Sequence, residues 1–237
     1  MTTIQLGDIT VEVVQKDIKH VHLSVYPPDG RVRVAAPRRM DVETIRVFVI
    51  AKLEWIKKQQ SKLRSQVREA PREYLERESH LVWGRRYLLR VDEVDAPPAV
   101  ELSHSTMILR VRPGTDTARR QAIVEAWYRQ QLKDAVPPLL ARWEPILGVK
   151  AQRFFVQRMK TRWGSCNPRD RHIRLNTELA KNPPECLEYV LVHELVHLLE
   201  ASHNARFVAL MDQVLPNWRL LRQRLNELPI SHDEWSY

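Results

Sequence analysis

Apolar and polar residues alternate along the first part of the chain. Ile4/Leu6, Val11/Val13, Val21/Leu23/Val25 and Val32/Val34 each fall on one face of an extended segment, which predicts short, half-buried strands over residues 1–35. Pro27-Pro28-Asp29-Gly30 reads as a hairpin turn between the last two. From Asp41 the period lengthens. Val42, Ile45, Val49, Leu53 and Ile56 recur three or four apart, predicting one amphipathic helix that fades into the charged stretch 57–69. Trp55 on this helix is read as a core residue. Residues 70–80 form a polar connector, and a second β pair is expected at Leu81–Val94 and Ala99–Val111, broken by Asp95-Ala96-Pro97-Pro98.

A helical period returns at Asp116, with Ile123, Trp127, Leu132 and Val136 on one side. Pro137-Pro138 is expected to kink or split this segment before Leu139–Leu147, because proline removes a backbone donor and crowds the preceding turn. Lys150–Lys160 reads as a strand, Thr161–Arg171 as a connection and His172–Leu175 as a short strand. Helices are expected over 183 to about 200, over Asn204 to about Leu215, and near Trp218–Leu228, with Pro216 separating the last two. Asn182 is a fitting N-cap for the first of these, Pro183 suits its first position, and Glu185 completes a capping-box spacing. No internal repeat is visible. The pattern as a whole is α+β, with a β-rich N-terminal region at 1–114 that carries one long helix, a C-terminal domain at 115–230 and a tail at 231–237.

The run Tyr189-Val190-Leu191-Val192-His193-Glu194-Leu195-Val196-His197-Leu198-Leu199 contains an H-E-x-x-H motif inside apolar sequence. At ~3.6 residues per turn, His193 and His197 project from the same helix face and can bind one metal ion. Glu194 is turned about 100° around the axis and can touch a water on that ion. Two histidines and a carboxylate are costly in an apolar helix unless something compensates them, and one Zn2+ ion does so. A zinc site needs a third protein ligand. His203, just past the helix end, is the leading candidate, with Glu200, Asp212 and His172 as rivals; His203 could instead cap the next helix.

Composition narrows the setting. The chain of 237 residues is 43% hydrophobic and 28% charged, within the range of globular proteins. Its two cysteines, Cys166 and Cys186, do not make a disulfide framework. The start lacks a signal-peptide pattern, and no uncharged apolar run approaches the ~20 residues of a membrane span, so a cytoplasmic protein is expected. The net charge of +9 suits weak association with nucleic acid, making DNA a candidate partner, although no DNA-reading motif is present.

Several segments together carry a resemblance. Lys160-Thr161-Arg162-Trp163-Gly164-Ser165-Cys166, Ile173-Arg174-Leu175-Asn176, Leu179, Pro183-Pro184, Tyr189-Val190, His193–His197, His203, Phe207 and Pro216 resemble the YgjP-like metallopeptidases, zincin-type bacterial proteins similar to the SprT/Spartan proteases. Trp83-Gly84-Arg85-Arg86-Tyr87 resembles the N-terminal β region of that family. The likeness implies a zincin-like C-terminal half, zinc on His193, His197 and His203, and Glu194 as catalytic base in peptide hydrolysis. It also implies that Trp163, Gly164 and Cys166 form a segment packed beside the site. From the residues alone, Gly164 either allows a close backbone approach or merely turns the chain, and Cys166 is a further metal-ligand candidate. Arg162, Asn204 and Arg206 are candidates for stabilising an oxyanion, Asp212 or a backbone carbonyl for orienting an imidazole, and His172–Leu175 or its neighbour for pairing with substrate. A DNA-associated protease and a non-catalytic zinc protein are the alternative functions.

Overall fold

The computed structural model describes residues 2–26, 30–65, 73–159 and 162–227. Among these, 2–65 and 73–227 form two compact units, each with its own apolar core. The division thus comes earlier than the 114/115 boundary expected from sequence. The strands between Ser79 and Val111 bury Val82, Leu89, Met107 and Leu109 in the same core as the helices that follow them.

In the first unit, β1 (Thr2–Leu6), β2 (Ile9–Lys16), β3 (His22–Tyr26) and β4 (Arg31–Pro37) form a sheet of order β1-β2-β4-β3. Its central pair β2/β4 is parallel and its outer pairs are antiparallel. Period-2 alternation puts Ile4, Val11, Val13, Val32 and Val34 inside, against Ile45, Val49 and Ile56. The expected single helix is two, α1 (Val42–Ile50) and α2 (Leu53–Ser65). Asp41 caps α1 by accepting from the Thr44 amide at 2.8 Å, and Lys52 N–H closes its end on the Val49 carbonyl at 2.9 Å. That i→i−3 bond tightens the chain and breaks the ladder while the apolar spacing continues across it. Trp55, expected in the core, is 43% exposed, since it precedes the inward-facing Ile56 by one residue and so points elsewhere. The Pro27-Pro28-Asp29 part of the expected turn and the 231–237 tail lie outside the described residues.

The second unit opens with β5 (Ser79–Val82), β6 (Arg85–Glu93), β7 (Ala99–Ser103) and β8 (Thr106–Val111). Each expected strand is therefore a hairpin, turned at Trp83-Gly84 and His104-Ser105. Trp83 (φ 50°), Gly84 (φ 77°) and His104 (φ 49°) adopt the left-handed conformation that such tight turns use. The sheet order is β5-β6-β8-β7, again with a parallel central pair and antiparallel outer pairs. The two four-stranded sheets thus share one topology, a repeat that is invisible in the sequence.

α3 (Thr117–Leu147) runs unsplit through Pro137 and Pro138. These prolines remove donors to the carbonyls of Lys133 and Asp134, and all four residues lie on the exposed face, where water serves the freed groups. Val124, Tyr128, Leu132, Val136 and Trp143 line the buried face. A three-stranded sheet follows, order β10-β11-β9, from β9 (Arg153–Gln157), β10 (Gly164–Asn167) and β11 (His172–Asn176). β10 occupies part of the segment expected to be a plain connection. A 3-10 turn (Thr177–Lys181) leads into α4 (Pro184–Val196), α5 (Ala205–Val214) and α6 (Trp218–Glu227). Among the described residues the fold is thus mixed α and β with three sheets.

α4 starts one residue later and ends earlier than expected. Asn182 does not cap it. Its buried side chain closes the preceding 3-10 turn, donating to the Glu178 carbonyl at 3.3 Å, and Pro183 takes the cap position. At the other end, Leu198 and Leu199 donate to the carbonyls three residues back, at 3.0 and 2.9 Å, and the last turn tightens out of the α form.

Candidate active site

α4 is apolar on nearly all sides because it is covered on nearly all sides. Leu191, Val192, Leu195 and Val196 have no exposed surface. The β5–β6 hairpin holds its start. Trp83 and Gly84 N–H donate to the carbonyls of Ala180 at 2.8 Å and Lys181 at 3.1 Å, just upstream. A Cβ on Gly84 would lie 2.8 Å from Pro183 Cγ, so the Trp-Gly pair of the sequence is a docking turn as well as a hairpin.

The last turn of α4 carries His193 and Glu194, and His197 is its C-cap residue, still with helical angles. His203 lies in the turn between α4 and α5, next to Asn204, which caps α5 by accepting from the Phe207 amide at 3.0 Å. The alternative in which His203 itself serves as that cap is therefore replaced by Asn204. His203 Nε2 lies 3.0 Å from His193 Nε2 and 3.1 Å from His197 Nε2. Among the described residues these three form the one histidine, cysteine and carboxylate cluster able to hold a metal ion.

The donor chemistry fits such an ion. His197 Nδ1 donates to the Glu200 carbonyl at 3.0 Å, which turns its Nε2 toward the other two rings. Burial, followed by the charges of His197, His203 and Arg222, pushes His193 down to about 3, and burial with His197 and Arg222 lowers His203. Imidazoles converging within hydrogen-bond distance are a transition-metal donor set. Nitrogens ~2.05 Å from a shared tetrahedral centre are separated by about 3.3 Å, close to the spacing seen.

Phe207 underlies the whole cluster. Its ring centroid is 4.9, 4.8 and 4.7 Å from those of His193, His197 and His203, and it is almost fully buried. Nothing in the apolar spacing distinguished this position from ordinary core, so sequence reasoning assigned it no role of its own.

Glu194 is 5% exposed, and burial pushes its carboxyl up to about 8 against the lowering charge of Arg162. Gly164 makes room for it. A Cβ there would sit 2.7 Å from Glu194 Oε1 and 2.9 Å from Val190 Cγ1, which settles the two readings of this glycine in favour of close approach. Asn176, also buried, holds the neighbouring chain in place. Its side chain donates to the carbonyls of Met159 and Arg162, each at 2.8 Å, and its N–H to that of Trp163 at 2.9 Å.

The remaining candidates go elsewhere. Glu200 accepts from Ser202, Asp212 from Trp218 and Arg219, and His172 packs edge-on against Phe155. Asp212 therefore does not orient an imidazole; the Glu200 carbonyl does. Cys166 is not in the cluster, and burial together with the Glu194 charge raises its thiol to about 11. β11 is the central strand of its sheet, so the edges open to pairing are β10 and β9. A cleft of about 440 Å³ opens beside His193 and Glu194, lined by Arg162, Trp163, Trp218 and Arg222 among others. Of the proposed oxyanion candidates only Arg162 lines it, and Arg222 is a cation that sequence reasoning passed over.

A helix-borne histidine–glutamate pair, two more imidazoles and an adjoining cleft place the chain in the class of metallopeptidases, and comparison with protein families agrees. The chain belongs to the YgjP-like family, matching its metallopeptidase domain over residues 19–228. No curated protein matches it. Among solved structures it is similar to the metallopeptidase zymogen of Pyrococcus abyssi abylysin, with 23% identity, 38% of this chain and 90% of that one covered, and a TM-score of 0.36. No helix among the described residues is long and apolar enough to cross a membrane.

Proposed function

We propose that the protein is a zinc-dependent peptidase in which His193, His197 and His203 hold one zinc ion and Glu194 is the general base. The observation that supports this most is the approach of three Nε2 atoms to one another beside a buried carboxyl. When bound, zinc lowers the pKa of a water to about 7 and polarises a peptide carbonyl. Glu194 takes the proton of the attacking water and returns it to the leaving amine nitrogen. A bound divalent ion would favour the ionised form of this carboxyl, so that Glu194 would be available as a base near neutral pH. The β10 edge, which begins at Gly164, pairs with an extended substrate backbone and presents the scissile carbonyl to the site. Arg162 and Arg222 offer charge to the cleft.

Glu194→Gln tests this reading. Expected is a loss of peptide hydrolysis of at least about 10²-fold with zinc content unchanged, by metal analysis and a peptide cleavage assay. Retained activity removes Glu194 from the mechanism. Loss of activity in wild type and variant alike, with zinc bound, favours a non-catalytic zinc protein.

A second reading, a protease acting on DNA-bound targets, draws on one sheet face. Arg153, Phe155, His172 and Arg174 share it by register, Phe155 is 38% exposed, and Arg174 lies 5.7 Å from its ring centroid. An aromatic ring among cations suits stacking on a single-stranded base. Binding of single-stranded oligonucleotide that weakens steeply with salt and is lost in Phe155→Ala supports it; binding unaffected by salt removes it.

A further inference from the structure

The cleft beside the histidine cluster has apolar walls, with Trp163, Phe207, Trp218 and Leu225 among them, yet two arginines face into it. Arg162 enters from the chain just before β10 and Arg222 from α6. Both are exposed, and among the described residues neither guanidinium has a hydrogen-bond or ion-pair partner. Several nearby carboxylates pair with other cations instead. Asp212 engages Arg219, Glu178 engages Lys181, Glu188 engages Arg142 and Glu125 engages Arg158. Glu194 is the one carboxyl in the cleft lining.

The two cations also bracket the reacting groups. Arg162 lies near enough to Glu194 for its charge to act there, and Arg222 acts on His193, His203 and Tyr189. Arg162 is held in register by Asn176, which takes up the carbonyls of Arg162 and Trp163 and leaves the arginine side chain no structural duty of its own. A guanidinium presents a planar fork of donors matched to a carboxylate, and low-dielectric walls strengthen such a pair relative to water.

We infer that Arg162 and Arg222 form a receptor for a carboxylate of the peptide substrate, so that cleavage is selective for bonds beside an acidic side chain or close to a free C-terminus. The inference rests on the peptidase reading above and names the substrate class for that site. A carboxylate would pair with the fork of Arg222 or Arg162 while the backbone lies over His193 and Glu194. An amidated peptide carrying Asp or Glu and a neutral peptide with a free C-terminus present the same group from the two sources.

The test uses the full-length zinc-loaded protein and three otherwise identical fluorescent peptides: one amidated with Glu, one amidated with Gln, and one with Gln and a free C-terminus. Expected is a kcat/KM about 10- to 100-fold higher for at least one carboxylate peptide than for the amidated Gln peptide. Which one responds identifies the source. In Arg222→Gln and Arg162→Gln, which keep the fold because neither side chain holds anything in it, this ratio should fall toward one, and Arg222→Glu should favour a Lys peptide. A ratio left unchanged in both variants, with kcat lowered equally for all three peptides, would instead make these arginines oxyanion donors and overturn the inference. The same peptides are titrated against zinc-loaded Glu194→Gln by anisotropy, so a failure of turnover is separable from a failure of recognition. Equal affinity for all three peptides overturns the receptor whether or not the wild type hydrolyses any of them.

Discussion

Gly164 leaves Glu194 room that no other residue would. Gly164→Ala should push the carboxyl off its position and lower kcat about 10²-fold, the cost of a misplacement near 1 Å, while zinc content stays at the wild-type level. Parallel kinetics and metal analysis check both halves. Two titrating groups in the same place set a pH dependence for the metal-free protein. Glu194, raised in the fold to about 8 from an ordinary 4.5, favours the folded chain fully below 4.5, and this support is lost as pH rises toward 8. His193, depressed to about 3 from 6.5, supports the fold above 6.5, and its contribution is lost as pH falls toward 3. The two slopes oppose each other between 4.5 and 6.5, so the contribution of this pair is greatest and flat there. Urea midpoints of chelator-treated protein should follow that shape, and Glu194→Gln should remove the decline on the alkaline side. A decline of equal size in the variant would assign it to other groups.

At the scale of elements, α5 supports the cluster from below. Asn204 starts the helix and so fixes Phe207 under all three imidazoles. Phe207→Ala should cost about 3–5 kcal/mol of stability and weaken zinc binding, because the rings lose the surface that holds them together; denaturation and competitive zinc titration measure the two effects. Unchanged zinc affinity would reduce Phe207 to core packing. Much of this part of the chain was legible beforehand, since H-E-x-x-H spacing and the helical stretch that opens at Asn204 are local signals, although the cap there is Asn204 and not His203. What escaped was set by distant partners. Asn182 has the chemistry of an N-cap but is taken by Glu178, and Pro137-Pro138 looked disruptive until they proved to lie on a solvent-facing side. The Trp83-Gly84 turn was hidden in a run that alternated well enough to pass for one strand. Arg222 belongs to the cleft only because α6 packs against α4, a contact that no local pattern encodes.

The molecule has two cores that share no residue, and the histidine cluster belongs to the second. An ion that binds only the folded second unit stabilises it by about 2.7 kcal/mol at a free concentration 100 times its Kd. Scanning calorimetry with and without a chelator should therefore move one transition and leave the other in place; a common shift would mean that the two units unfold together. Both four-stranded sheets also use the same scheme, two antiparallel hairpins joined edge to edge by a parallel pair. Each hairpin closes within a short stretch of chain, so one long-range docking step completes each sheet. The histidines, by contrast, come late in the chain, and one wall of their cleft comes later still, from α6. During synthesis the sheets can assemble on the ribosome well before the last imidazole has been translated. A nascent chain from which α6 has not yet emerged thus lacks one wall of the cleft beside the imidazoles, whatever the state of its sheets.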